Sequence, residues 1–169
     1  KSEQSEAARF KECLDCPREE VTWYTAVAFT RWLSAQTGDQ IALPTEQQWQ
    51  RAAQGDDGRT YPWGDIWDAT RCNHGVGLVR LFTRWKTTPV TRFPAGASPF
   101  GVMDMSGNVW EWCSTNFTTR LPEPNGTNVR VLRGGSWDSI NAVGFRCGNR
   151  NWNNPRIGVN LMGFGLALS

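Results

Sequence analysis

Gly101-Val102-Met103-Asp104-Met105-Ser106-Gly107-Asn108-Val109-Trp110-Glu111-Trp112-Cys113 is the stretch on which the fold turns. Its first half carries Gly, Asp and Ser, the residue types of a tight turn. Its second half alternates. Val109, Glu111 and Cys113 fall on one side and Trp110 and Trp112 on the other, the period of two expected of a strand. The segment therefore predicts a short strand entered from a turn.

Upstream the pattern is helical. Thr22 can cap a helix in which Ala26, Phe29, Thr30 and Leu33 recur at helical spacing beside Trp32, and Gly38 stands where a helix-ending glycine belongs. Thr45 and Gln48 form a capping box for a second helix through Trp49, Ala52 and Ala53 to Gly55. From Gly55 to about residue 100, Asp57-Gly58, Pro62-Trp63-Gly64 and Pro94-Ala95-Gly96 predict loop with short strands. Downstream, Val129 to Trp137 reads as another strand and Gly163 to Leu168 as a closing one. Two early helices followed by short strands and long loops make an α+β domain. Residues 1–20, polar and without period, read as a tail or linker before a domain at 21–169.

The 169 residues predict one domain, and 39% apolar with 20% charged residues is a globular composition. No apolar run approaches the roughly 18 residues of a membrane-spanning helix. A net charge of +2 is too small to argue for nucleic acid, which is left out of the expected partners. His74 is the single histidine, which excludes from this chain any mechanism needing two. Cys13-x-x-Cys16 is a lone CxxC among five cysteines; zinc would need ligands from Cys72, Cys113, Cys147 or His74, and a local bridge is the alternative. Asn116-Phe117-Thr118 and Asn125-Gly126-Thr127 are glycosylation sequons only in a secreted context. The chain starts at Lys1 with no signal-peptide pattern, so compartment is not readable.

From Asp138 to Asn160, within a stretch of about 137–165, the sequence is rich in Asn, Gly and Arg. Ile140, Val143, Phe145, Trp152, Ile157, Val159 and Leu161 sit there without sustained period. Apolar side chains in such loops are expected to be exposed, and an exposed cluster marks a binding surface. Alternatively, Val143 with Phe145, or Val159 with Leu161, alternate into the core of short strands. Asp104 and Glu111, seven apart around the carbonyls of Gly107 and Val109, offer hard oxygen ligands suited to Ca²⁺. The competing reading has Asp104 capping a turn and Glu111 paired with an arginine. Arg133, Arg146 and Arg150 can tie loops to carbonyls, and Trp110, Trp112 and Trp137 supply core.

Several motifs in order resemble one family. They are Val21-Thr22-Trp23-Tyr24-Thr25-Ala26 with Arg31-Trp32-Leu33, Leu43-Pro44-Thr45-Glu46 with Trp49, and Tyr61-Pro62-Trp63-Gly64. Gly101 to Trp112, Arg133-Gly134-Gly135-Ser136-Trp137 and Gly163-Phe164 complete them. Together they resemble the formylglycine-generating-enzyme type of C-type lectin fold across roughly residues 20–168. That family has a stretch before the first helix, so the resemblance suggests a fragment. It also implies calcium at Asp104, Gly107, Val109 and Glu111, with Asn73 a weaker match to a second calcium site. The copper-binding cysteine pair of the family's oxidase would fall on Ser139 and Ala142, neither a thiolate. The iron-dependent sulfoxide synthases of this fold need a histidine cluster.

From Arg130 to Trp137, Phe145 to Pro155 and Gly163 to Ser169 the chain resembles the variable region of diversity-generating retroelement proteins. There adenine-directed mutation turns Asn codons into many residue types. Two departures are Gly165, where Arg is common, and a Trp137-to-Pro155 spacing one residue longer. The resemblance implies a variable region at about 137–165 and a diversified binding set: Asp138, Ser139, Ile140, Asn141, Val143, Phe145, Asn149, Asn151, Trp152, Asn153, Asn154, Arg156, Ile157, Val159, Asn160 and Leu161. The expected function is a non-enzymatic protein binding a protein or surface ligand, with no required cofactor and calcium as the one candidate ion. The alternatives are a formylglycine-generating-type oxidase and a fixed-partner interaction module.

Overall fold

A computed structural model describes residues 13–77 and 86–168. Helix α1 spans Trp23–Thr37 and α2 spans Glu46–Gln54. Strands are β1 (Ile41–Ala42), β2 (Trp110–Asn116), β3 (Arg130–Arg133), β4 (Asn151–Asn153), β5 (Met162–Gly163) and β6 (Ala167–Leu168). The α+β expectation holds.

The helix ends fall where their caps stand. Thr22 accepts from the Thr25 amide, and Gly38 closes α1 at φ 81, a left-handed conformation that costs glycine little. The capping box of α2 is formed in both directions between Thr45 and Gln48. The buried stripe of α1 is Trp23, Ala26 and Thr30, flanked by Val27. Phe29, grouped with that stripe in the sequence reading, lies on its flank, 39% exposed and against Phe164.

One sheet has the order β4-β3-β2-β5, and β1 pairs with β6 in a second, two-stranded one. In the larger sheet β2 runs antiparallel to β3, with Trp112 opposite Leu132, and parallel to β5, with Trp110 opposite Met162. β4 lies antiparallel on β3, with Trp152 opposite Val131. Trp112, Leu132 and Met162 join Trp23, Ala26 and Leu43 in one core; Trp49, Met105, Cys113, Val131 and Cys147 form another. Two of the buried tryptophans spend their N–H groups on carbonyls, Trp112 Nε1 on Val21 and Trp23 Nε1 on Cys113.

β3 is buried at all four residues, two of them arginines. Arg130 lies over the Trp23 ring at 4.2 Å and donates to Glu123 at 3.1 Å. Arg133 donates to Gln50 Oε1 and to the Asn149 carbonyl, both at 2.5 Å. The strand predicted to Trp137 stops at Arg133, because Gly134 and Gly135 take φ of 93° and 78° and turn the chain away. A Cβ on Gly135 would lie 3.0 Å from the Phe145 ring.

Residues 13–20, expected as a tail, pack on the domain: Val90 N donates to the Asp15 carbonyl and Glu20 N to that of Val159. The rest of that predicted tail, residues 1–12, lies outside the described residues. Cys13 and Cys16 are bridged, which removes the zinc reading for that CxxC. Cys72, Cys113 and Cys147 are buried free thiols; desolvation raises all three, Cys147 to about 12.

Candidate binding face and candidate calcium site

The arc from Asp138 to Leu161 is held at intervals by inward groups. Gly75 N donates to the Ser139 carbonyl, and Asn141 caps the short 3₁₀ turn Ala142–Phe145 by accepting from Val143 N. Phe145 is fully buried, stacked on Trp67 at 5.1 Å, and its carbonyl accepts from Ser106 Oγ at 2.6 Å. Cys147 N donates to the Thr60 carbonyl, and Asn149 Nδ2 to that of Gly144. Pro155 is buried and its carbonyl accepts from Trp23 N. Beyond the arc, Met162 enters the core.

Between these pins the side chains face solvent. Ile140 is 61% exposed and Trp152 51%, and Val143, Ile157 and Val159 are exposed as well. Asn141, Asn151, Asn154, Arg156 and Asn160 are exposed. Asp138, Ser139, Asn149, Asn153 and Leu161 are half-buried. Phe145 corrects the expected set: it is a core residue, because the Gly135 turn and the Trp67–His74 rings leave it a slot beneath the arc. Of the three arginines expected to tie loops, Arg133 and Arg150 do so, and Arg146 is exposed.

The arc's edge strand has its own support. Arg150 donates Nε and Nη2 to the two Glu46 oxygens, both at 2.8 Å, in a bidentate pair. Its guanidinium lies 4.4 Å over Phe117, whose ring is 6.1 Å from Trp152. Glu46 and Phe117 carried no functional signal in the sequence beyond membership of a motif.

Asn108 is the larger omission. It is fully buried with φ 65. Its Nδ2 donates to the Thr88 carbonyl and to Asp104 Oδ2, and its Oδ1 accepts from Thr88 N and Asn73 Nδ2. Its backbone N donates to the Asn73 carbonyl and its carbonyl accepts from Trp137 N. One side chain thus joins residues 73, 88 and 104, and its backbone reaches the start of the arc. Asn73 donates its Nδ2 to Asn108 Oδ1 and to the Lys86 carbonyl.

Asp104 and Glu111 flank this hub. Asp104 accepts from Asn108 and Glu111 from Trp49 Nε1, one oxygen each. Burial pushes Asp104 up to about 6 and Glu111 to about 7, and in Glu111 the nearby Asp104 charge adds to the rise. Glu111 is hydrogen-bonded by Trp49, and no arginine pairs with it among the described residues. Gly107, at φ 88, has no room for a side chain: a Cβ would lie 2.3 Å from the Asn73 carbonyl. Asp104, ahead of β2, and Glu111, on it, are thus two desolvated carboxylates, hard oxygen donors of the kind a divalent cation takes. Among the described residues, no group of three or more His, Cys, Asp or Glu is placed to hold a metal by side chains alone. Ser139 and Ala142, the positions that the resemblance matches to the oxidase's cysteine pair, carry no thiol, and Ser139 Oγ accepts from Ser136 N.

No described helix is long and apolar enough to cross a membrane. The family model described as "Sulfatase-modifying factor enzyme 1-like domain" matches residues 1–169. Hercynine oxygenase of Mycolicibacterium thermoresistibile is 36% identical over 161 residues, covering 83% of this chain and 33% of that protein. The inactive C-alpha-formylglycine-generating enzyme 2 of Mus musculus is 34% identical over 133 residues, covering 75% and 39%. The chain thus spans between a third and two fifths of these curated relatives. Among solved structures, Treponema denticola variable protein 1 superposes with a TM-score of 0.77 at 24% identity, covering 91% of this chain and 71% of that one. PvdO from Pseudomonas aeruginosa gives 0.75 at 23%, covering 92% and 62%. These likenesses show the fold, the C-type lectin type expected from the motifs.

Proposed function

We propose, from the premise that the chain belongs to the sulfatase-modifying factor enzyme 1-like family, that it is a non-catalytic member displaying a diversified binding face at residues 138–161. The observation that carries this reading is the arc's construction. Buried Phe145, Cys147 and Pro155 pin it, and Ile140, Val143, Trp152, Ile157 and Val159 project between the pins. Exposed apolar side chains on a fixed backbone are what a binding face requires. Loss of thiolates at Ser139 and Ala142 supports the non-catalytic part, as does the single histidine.

Two tests separate the parts of this reading. Incubation with copper and a cysteine-containing peptide should leave the peptide thiol unoxidised; turnover would reject the non-catalytic role. The gene should lie near a reverse transcriptase and an adenine-rich near-copy of its last hundred or so bases. Without that near-copy the diversified face gives way to a fixed-partner module.

A calcium ion is proposed at Asp104 and Glu111 by side chain and at Gly107 and Val109 by carbonyl. It would neutralise the two raised carboxylates and brace the turn beneath the arc. The identity to hercynine oxygenase favours a second reading, an enzyme whose further ligands lie in sequence outside this chain. Turnover by a longer form but not by this chain would establish it.

A further inference from the structure

We infer that the arc fits a protein partner whose contact surface sets carboxylates around an apolar centre. This rests on the display reading above and names the chemistry of what is bound. All sixteen acidic residues of the chain lie at or before Asp138. Residues 139–169 carry Arg146, Arg150 and Arg156, no lysine and no acidic side chain. Arg150 is paired with Glu46 through its two 2.8 Å bonds. Arg146 and Arg156 are exposed and make no ion pair among the described residues. Elsewhere among the described residues Arg51, Arg59 and Arg71 each have a carboxylate at ion-pair distance, while exposed Arg31, Arg92 and Arg120 have none.

The two unpaired guanidiniums alternate in the chain with the exposed apolar side chains. Arg146 falls between Val143 and Trp152, and Arg156 between Trp152 and Ile157. A partner that covers the apolar side chains also removes water from the guanidiniums. A guanidinium buried without an anion is costly, so the partner's surface must supply carboxylates, which its fork receives bidentately. Nucleic acid fits less well. It needs a track of cations along its backbone, and aliphatic Ile140, Val143, Ile157 and Val159 offer a phosphate nothing.

The probe is a yeast-displayed library of small helical-bundle binders with equal codon shares for acidic and basic residues at the varied positions. It is selected against the whole chain, and clones are sorted by whether Trp152→Ala or Ile157→Asp abolishes binding. Both substitutions are at exposed positions, and cooperative melting within about 5 °C of the parent confirms the folded state. Clones lost on either variant should carry an acidic excess that clones bound elsewhere lack. They should weaken about tenfold between about 50 and 500 mM NaCl, and about tenfold or more on the R146E/R156E double variant. Face-binding clones with no acidic excess, or with affinity indifferent to salt, overturn the partner chemistry and leave the display reading standing. If no clone is lost on either variant, both fall. Binding of a fluorescein-labelled oligothymidylate at 150 mM salt, abolished by R146E/R156E, overturns the proposal in favour of nucleic acid.

Discussion

Residues 104–137 and residues 138–161 are both irregular for much of their length, yet they use their side chains in opposite senses. The first stretch turns polar groups inward: Asn108 and Arg133 are buried and joined to segments distant in sequence, and buried Arg130 ties down the neighbouring loop at Glu123, Asn125 and Gly126. The second turns apolar groups outward and is held by a few buried residues and backbone hydrogen bonds. A frame of the first kind is costly to change, because removing one partner leaves the others buried and unsatisfied. A face of the second kind tolerates exchange, because its exposed side chains leave nothing unpaired. The comparison therefore predicts a steep gradient of mutational cost between neighbouring segments.

The largest effect belongs to Arg133. Arg133→Ala strips Gln50 and the Asn149 carbonyl of their donor and leaves Glu46 with one cation instead of two. Loss of a buried charged partner costs about 3–5 kcal/mol, measurable as a fall in the urea midpoint at unchanged slope. Phe145→Ala follows at about 3–4 kcal/mol, because it empties the slot against Trp67. Phe145 lies within the arc by sequence and should behave as frame. A cost below about 1 kcal/mol for either variant would erase the distinction between the regions.

That placement of Phe145 marks where the sequence stopped being legible. Helix starts at Thr22 and Thr45, and the stop at Gly38, were readable because capping is local chemistry within four residues. The α+β class followed from the same kind of signal. Phe145 was grouped with Ile140 and Val143 because all three sit in the same Asn- and Gly-rich context; only the distant Gly135 turn and Trp67 ring distinguish it. The Glu46–Arg150 pair spans 104 positions, and no local pattern announces it. Asn108 was legible as part of a motif but not as a hub, since two of its partners, Asn73 and Thr88, come from other loops. Long-range polar contacts carry no periodicity, so they escape a reading built on period and caps.

Calcium and pH give an intermediate effect that sharpens the comparison at the frame's own turn. Asp104 and Glu111, raised to about 6 and about 7, hold their protons more tightly in the fold than in the unfolded chain. Without an ion, their contribution favours folding at about pH 4 and is lost as pH rises to about 7, at about 1.4 kcal/mol per unit of difference. Calcium binds the ionised form, so its stabilisation should grow across that same window. Thermal melts at pH 5 and pH 8, with calcium or chelator, measure both trends. Calcium should raise the midpoint more at pH 8 than at pH 5, and E111Q should abolish the difference. An equal midpoint with calcium and chelator at pH 8 removes the ion from this site.

The smallest effects belong to the face itself. Ile140→Ser, Val143→Ser, Ile157→Ser and Val159→Ser should each change stability by no more than about 0.5 kcal/mol, since these side chains already meet water in the folded state. Trp152→Ala should stand slightly above them, at about 0.5–1 kcal/mol, because its ring lies beside Phe117. Near-neutrality here is a requirement and not an incidental outcome. A face can be exchanged residue by residue only if each exchange leaves the frame folded. Were the four serine variants to cost about 2 kcal/mol each, these side chains would be contributing to the core after all, and a diversified set could not occupy their positions without unfolding the domain.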